Sequence, residues 1–292
     1  MVIWGANFIV VKGAIGMMPP VAFTFLRYAL AAAALLVILR WSNGSIRLPR
    51  PDTWRILILG GLGFGIYQIL WTVGLQTIPA GDSALLIGST PVFVAVIAVL
   101  ARTDTLSPLR ALGVGLSFLG VAIVIGAGVG IELAGSPVGF ALTLAATLSW
   151  ATYTAVGARY LRGHSALELT TWATVGGTIV LAPIGTLQLL APGAVDTATG
   201  AEGDLAALLL AILYAGILAA ALANVVVFHG VRLLGPTRIT AIQSLVPAMA
   251  VVMAFIFLGE PIRLGQVVGG AIIIGGVALT RIRTERRVPI GS

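Results

Sequence analysis

The sequence predicts an all-α membrane protein of about ten membrane-crossing helices, built as two similar halves of five that enter the bilayer in opposite directions. Three observations predict it. The 292 residues are 59% hydrophobic and only 9% charged, with a mean hydropathy of +1.07, which lies outside the range of water-soluble globular domains. Apolar runs of spanning length follow one another along the whole chain, and particular residues recur at fixed offsets between its two halves.

A hydrocarbon layer of roughly 30 Å needs about 20 apolar residues per helix. Runs between charged or Pro/Gly breaks lie near 2–16, 20–40, 54–76, 80–101 and 108–130, then near 137–158, 167–190, 205–229, 236–258 and 264–282. The first is short; each can span with some tilt or shortening. Pro91 and Pro247 fall inside the fourth and ninth runs. A proline there removes one backbone donor and clashes with the preceding turn, so these helices must be kinked or locally opened. Gly61 and Gly65, Gly126 and Gly130, and Gly265 and Gly269 have the spacing of close helix contacts. Trp41 and Trp54 lie beside basic loops, where an aromatic ring anchors at the membrane surface.

Charge gives the chain a direction. With both termini on the cytoplasmic side, the loops and tail on that side hold Arg40, Arg47, Arg50, Arg55, Arg102, Arg110, Arg159, Arg162, Arg232, Arg238, Arg281, Arg283, Arg286 and Arg287, which is 14 of the 17 basic residues. The opposite side holds Lys12 and Arg263 together with Asp82, Glu132, Asp196, Glu202, Asp204 and Glu260. The net charge of +7 is thus accounted for by membrane orientation, and a nucleic-acid partner is not expected. The reading is a multi-pass protein of the inner (plasma) membrane. A cleaved leader is not expected, because apolar residues begin almost at Met1 with no basic stretch before them. With no cysteine in the chain, disulfides, thiolate chemistry and cysteine metal sites are excluded.

An offset of 156 carries Gly74 onto Gly230, Pro91 onto Pro247, Asp104 onto Glu260, Gly113 onto Gly269 and Gly120 onto Gly276. Near the starts of the halves the offset is 146, relating Trp4 to Trp150. The longer connection between the seventh and eighth runs, with Gly193, Gly200 and Gly203, explains most of the difference. We take the halves as residues 1–133 and 134–292. Five is odd, so the second half is inverted relative to the first. Inverted repeats are a recurrent plan of secondary transporters, whose substrate site lies near the midplane where the halves meet.

Polar and aromatic groups inside a span must face protein or a water-filled cavity, since an unsatisfied polar group in lipid costs several kcal/mol. On that ground the substrate-binding candidates are Trp4 and Asn7, on one face of the first helix with Phe8 and Val11; Tyr67, Gln68 and Trp71 in the third; Thr90 in the fourth; Trp150 and Tyr153, with Thr154, in the sixth; Asn224 in the eighth, the counterpart of Gln68; and Gln243 and Ser244 in the ninth. Pro91 and Pro247 are hinge candidates: each leaves a carbonyl four residues earlier without its donor, at Ile87 and Gln243. Lys12, Arg27 and His229 are the candidates for charge roles. Lys12 and Arg27 could meet a substrate carboxylate, pair with Asp82 or snorkel, and a lone histidine near a helix end is more often structural. No Asp or Glu stands at the middle of a predicted span, which favours uniport or exchange over proton coupling.

The opening Trp4-Gly5-Ala6-Asn7-Phe8 with Lys12, the Pro19-Pro20 turn into Phe25-Leu26-Arg27-Tyr28, and the closing Leu258-Gly259-Glu260-Pro261 with Gly269 and Gly276-Val277 resemble the drug/metabolite transporter superfamily, in its ten-helix branch with two EamA-type domains. The resemblance covers nearly the whole chain. The first half departs from the Gly-Glu signature, reading Arg102-Thr103-Asp104-Thr105. The resemblance implies two inverted EamA-like repeats, no cofactor, and export of small metabolites by alternating access, with greatest similarity to exporters of aromatic and other neutral amino acids. Sugar-phosphate, nucleotide-sugar and drug transport are the alternatives it allows. A phosphate carrier should gather several basic residues near the midplane, and only Arg27 and Lys12 are available. An intramembrane transferase needs paired carboxylates with a metal, or a nucleophile with its base, and the spans hold neither arrangement.

Overall fold

A computed structural model of the chain describes residues 1–44, 46, 50–102, 107–129, 136–157, 164–194, 202–234 and 242–280, which are helical almost throughout and contain no strand. The helices follow the predicted runs in order. α1 is Val2–Ala14 and α2 is Pro20–Asn43. α3 joins Arg50–Gly60, a π-helical stretch Gly61–Ile66 and Tyr67–Leu75. α4 joins Ala80–Gly88 to Thr90–Leu100. α5 is Pro108–Val129, α6 is Pro137–Gly157 and α7 is Ala166–Leu190. α8 joins Glu202–Leu213, a π-helical stretch Tyr214–Leu222 and Ala223–Leu234. α9 is Val246–Leu258 and α10 is Leu264–Thr280.

Among the described residues α2, α3, α4, α5, α7 and α8 contain stretches long and apolar enough to cross a membrane, while α1, α9 and α10 are shorter apolar helices. The 13 residues of α1 rise only about 20 Å. α6 is the least lipid-like, with Thr143, Thr147 and Ser149 buried along it. Trp41 and Trp54 are exposed.

Three local features differ from regular spans. The π-helical stretches of α3 and α8 occupy equivalent places in the two halves, since the offset of 156 carries 61–66 into 214–222. Each inserts residues into a helical turn and re-aims the face that follows. α4 is broken at Ser89, because Pro91 sits in the first turn of the following segment and cannot continue the preceding one. α9 likewise opens with Pro247 in its first turn, after the turn residues Ser244 and Leu245. Residues 242 and 243 are helical ahead of this turn, and residues 236–241 of the predicted run lie outside the described set.

The two halves are antiparallel, and the crossing of α5 and α10 displays it. A Cβ on Gly113 would stand 2.6 Å from the Gly276 carbonyl oxygen, and one on Gly120 would stand 2.6 Å from that of Gly269. Between them the Ser117 hydroxyl donates to the Ile273 carbonyl, 156 residues away. The offset exchanges these contacts with one another, as a twofold axis through Ser117 and Ile273 requires. α2 lies along α7 in the same sense: Thr178 donates to the Tyr28 carbonyl at 3.2 Å, and Gln188 accepts from the Val21 and Ala22 amides at 3.0 and 2.9 Å. α4 crosses α9 break against break, with Gly88 beneath the Pro247 ring. Gly61 and Gly65 meet Val180, and Gly265 meets Ala127, so these glycines admit close neighbours. Gly126 faces open space instead, and its partner Gly130, like the predicted boundary at 133/134, lies outside the described residues.

Candidate functional site

Aromatic side chains from both halves form one continuous run. Tyr153 and Trp150 stack with ring centres 5.1 Å apart, Trp150 meets Tyr67 at 5.3 Å, Tyr67 lies parallel to Trp71 at 6.2 Å, and Trp71 meets Phe8 edge-on at 5.3 Å. Phe64 closes its inner side, with centres 5.3 Å from Trp150, 5.2 Å from Tyr153 and 6.1 Å from Tyr28. The run depends on the π-helical stretch of α3. Phe64 lies within it, Tyr67 and Trp71 follow it, and the absent side chain of Gly63 gives the Tyr153 ring its place. The equivalent positions of α8 are Ala220, Ala223 and Val227, so the aromatic surface belongs to α3 and α6 and is not repeated by symmetry.

Arg27 enters this surface from α2 and is 1% exposed. Its Nη2 donates to Gln68 Oε1 at 2.5 Å, and Gln68 Nε2 donates to the Tyr28 hydroxyl at 2.6 Å. The guanidinium carbon stands 5.1, 5.5 and 5.7 Å from the ring centres of Tyr28, Trp71 and Phe23, within cation–π range. Arg27 Nε is buried without a hydrogen-bond partner, and among the described residues no carboxylate pairs with this arginine. Gln68 comes seven residues before the end of α3, about 10 Å along the helix.

Beyond the run, the ends of the helices where α1 and α3 finish and α4 begins are drawn together by polar contacts. Lys12 Nζ donates to the carbonyls of Leu75 and Ile78 at 2.6 and 2.5 Å, meeting acceptors left over at the end of α3. Gly259 takes φ +66°, which glycine adopts without penalty. The turn carries the Glu260 carboxylate onto the amides of Ala80 and Gly81, at 2.8 and 3.2 Å, where an acid suits the start of α4. Asp82, wholly buried, pairs with Arg263 and accepts from Gln266 Nε2 at 3.0 Å. Arg263 also donates to the Ala127 carbonyl at 3.0 Å. Every contact of Glu260 and Asp82 here joins one half of the chain to the other. Just behind them Ser83 accepts from Trp71 Nε1 at 3.0 Å.

The remaining candidates are dispersed. Trp4 Nε1 donates to the Ala219 carbonyl at 3.0 Å, tying α1 to the π-helical stretch of α8; it does not repeat the role of Trp150. Asn7 has its Oδ1 buried without a partner. The pairs Phe8–Trp71 and Lys12–Leu75 are both 63 apart in sequence, so Asn7 runs level with Leu70, close to the depth of Gln68. Asn224 donates to the Ala220 carbonyl of its own helix at 2.8 Å, unlike its counterpart Gln68. Thr90 donates to the Ile87 carbonyl at 2.6 Å, so the acceptor released by Pro91 is met within the helix. Pro91 and Pro247 mark the breaks of α4 and the start of α9. Gln243 and Ser244 lie before α9, half-buried. His229 is part of the helix Ala223–Leu234, and its side chain lies outside what the structure describes. Arg27 and Lys12 do not pair with Asp82, which takes Arg263 instead.

Sequence reasoning alone does not single out Tyr28, Phe64 and Phe23. Phe23 and Phe64 carry no polar signal in a hydrophobic helix, and the Tyr28 hydroxyl gains significance only through its contact with Gln68; contact with Arg27 and Trp150 distinguishes the three. The partnership of Asp82 with Arg263 and Gln266 spans more than 180 residues, beyond any local pattern. A groove of about 780 Å³ lies elsewhere, between α1 and α8, with Ile9, Gly13, Met17, Tyr214 and Ile217 among its lining. It is apolar and suits contact with lipid.

Comparison with known proteins agrees with this architecture. The model of the EamA-like transporter family matches residues 1–126 and 137–282. A relative from Streptantibioticus cattleyicolor, named a probable terminal-alkyne amino-acid exporter, is 29% identical, covering 89% of this chain and 84% of its own. One from Salmonella typhimurium, named a probable amino-acid metabolite efflux pump, is 27% identical over 98% and 95% of the two chains. The uncharacterized transporter YdfC of Bacillus subtilis is 26% identical over 97% and 89%. A solved crystal structure superposes with a TM-score of 0.65 at 18% identity, covering 96% of this chain and 92% of its own, a likeness of fold.

Proposed function

The chain belongs to the EamA-like transporter family, and we propose that within it this protein is a secondary carrier exporting neutral, chiefly aromatic, amino acids across the inner membrane. The observation that carries this reading is the aromatic run from Tyr153 to Phe8, contributed by both halves and joined by one buried cation. Such a surface offers ring faces to an apolar side chain and polar atoms to a small zwitterion. Two relatives named for amino-acid export support it.

On this reading residues 1–133 and 134–292 are the two halves that rock against each other, and the termini lie in the cytoplasm, as the distribution of arginines favours. The end closed by Lys12, Asp82, Glu260 and Arg263 then faces outward. Export requires this cluster to part while the substrate rests against the aromatic run. Asp82 is engaged with Arg263, and no described carboxylate pairs with Arg27 within the site; this favours uniport or exchange over proton antiport. Carriage of sugar phosphates fits less well, because Arg27 is the one cation the described residues bring to the run.

Uptake of labelled phenylalanine, leucine and glycine into proteoliposomes, with and without an imposed pH gradient, tests the reading. Uptake of the first two, indifferent to the gradient, is expected; no uptake of any amino acid by folded protein would overturn it.

A further inference from the structure

We propose that Arg27 is the anchor for the carboxylate of the transported solute, so that the site selects monoanionic or zwitterionic carboxylates and rejects their amides and amines. The inference rests on the amino-acid carrier reading and deepens it.

A guanidinium taken out of water needs an opposite charge or a full set of acceptors. Arg27 has only part of this. One bond goes to Gln68 and three ring faces surround it, but its Nε is buried with no acceptor and no described carboxylate balances its charge. The other two cations near this end of the bundle are occupied: Lys12 holds the Leu75 and Ile78 carbonyls, and Arg263 holds Asp82 and the Ala127 carbonyl. Arg27 is therefore the charge in the aromatic surface that an incoming anion would complete. A guanidinium presents paired donors to a carboxylate in a fixed plane. Gln68 holds that plane by binding Nη2 on one side and Tyr28 on the other, which prevents the side chain from turning away.

Asn7 supplies the complementary group. Its Oδ1 is buried without a donor and stands near the depth of Gln68, where it can accept from a substrate ammonium. Carboxylate to Arg27, ammonium toward Asn7 and side chain along Tyr67 and Trp150 use the unpartnered polar atoms and the ring faces together.

The test compares uptake of L-phenylalanine, L-phenylalaninamide and phenethylamine by the reconstituted full chain. Wild type should prefer the acid by at least tenfold over both analogues, which keep the amine and lack the carboxylate. Arg27→Met should bring the three rates within about twofold of one another, and Arg27→Lys, which keeps a charge without the planar fork, should retain an intermediate preference. Folding of each variant is checked by thermal unfolding in detergent. Wild type that carries all three equally overturns the anchor while leaving an amino-acid carrier standing. So does a folded Arg27→Met or Arg27→Lys variant with undiminished preference. Wild type that carries none of the three and no other neutral amino acid overturns both readings.

Discussion

Replacing Asp82 by Asn should open the end of the bundle that the proposed orientation turns outward. Asp82 is wholly buried and Arg263 is 12% exposed, so their pair is shielded from water. Removing one member of a buried pair costs about 3–5 kcal/mol, because the other charge is left uncompensated. Asn can still accept the Gln266 bond at Oδ1, and Arg263 keeps the Ala127 carbonyl, so the lower end of that range applies. If the pair exists only in the closed arrangement, about 3 kcal/mol changes the ratio of closed to open molecules by roughly 150-fold. The chain has no cysteine, so Ser83→Cys, directly behind the cluster, gives a single reporter. Its labelling by a membrane-impermeant maleimide, added outside right-side-out vesicles, should be at least tenfold faster when Asp82→Asn is present. Arg263→Gln should act alike, and the double substitution should be no worse than either single one, since it leaves no unpaired charge. An unchanged labelling rate in well-folded protein would refute the role of this cluster as a closure.

Other substitutions probe the packing that shapes the site. Gly63→Ala places a methyl where the Tyr153 ring lies and should cost about 1–3 kcal/mol, read as a lowered Tm in detergent together with slower uptake. Glu260→Ala removes the acceptor of the Ala80 and Gly81 amides and should cost about 0.5–2 kcal/mol; Gly259→Ala, at φ +66°, should cost about 1–2 kcal/mol, both by thermal unfolding. Thr90→Val strands the Ile87 carbonyl and should lose about 1–3 kcal/mol of stability, whereas Thr90→Ser should not. Trp41→Ala and Trp54→Ala, both at exposed positions away from the aromatic run, should leave uptake within twofold of wild type.

Much of the architecture was legible in the sequence because the bilayer constrains it strongly. Every spanning backbone must satisfy its own hydrogen bonds, so apolar run lengths alone locate α2, α5 and α7. The recurrence of Gly113, Gly120 and Pro91 at 156 residues points to a repeat and the odd number of runs per half to its inversion, and the α5–α10 crossing around Ser117 and Ile273 is the geometric form of both. The π-helical stretches were not legible. Gly61–Ile66 reads as an ordinary helical segment, and the widened turn arises where α3 meets Val180 and Tyr153 from distant helices. Site residues divide along the same line. Tyr67, Trp71, Trp150 and Tyr153 meet because large rings on inward faces have few alternatives in an apolar bundle. Thr90 and Asn224 looked equally suited to a ligand, yet both donate to carbonyls of their own helices, an outlet open to any short polar side chain in a helix. Glu260 was recognised as part of a signature, but its task of binding the start of α4 depends on a fold that brings residues 80 and 260 together.

The central claim is that the aromatic run around Trp71 receives the solute in a carrier that alternates between two faces. Counterflow tests it most directly: proteoliposomes loaded with unlabelled L-phenylalanine are diluted into trace labelled L-phenylalanine. Wild type should show a transient accumulation of label above equilibrium, and Trp71→Ala, folded by its Tm, should abolish it. Overshoot undiminished in Trp71→Ala, or absent from wild type for phenylalanine and every other neutral amino acid, would contradict the account.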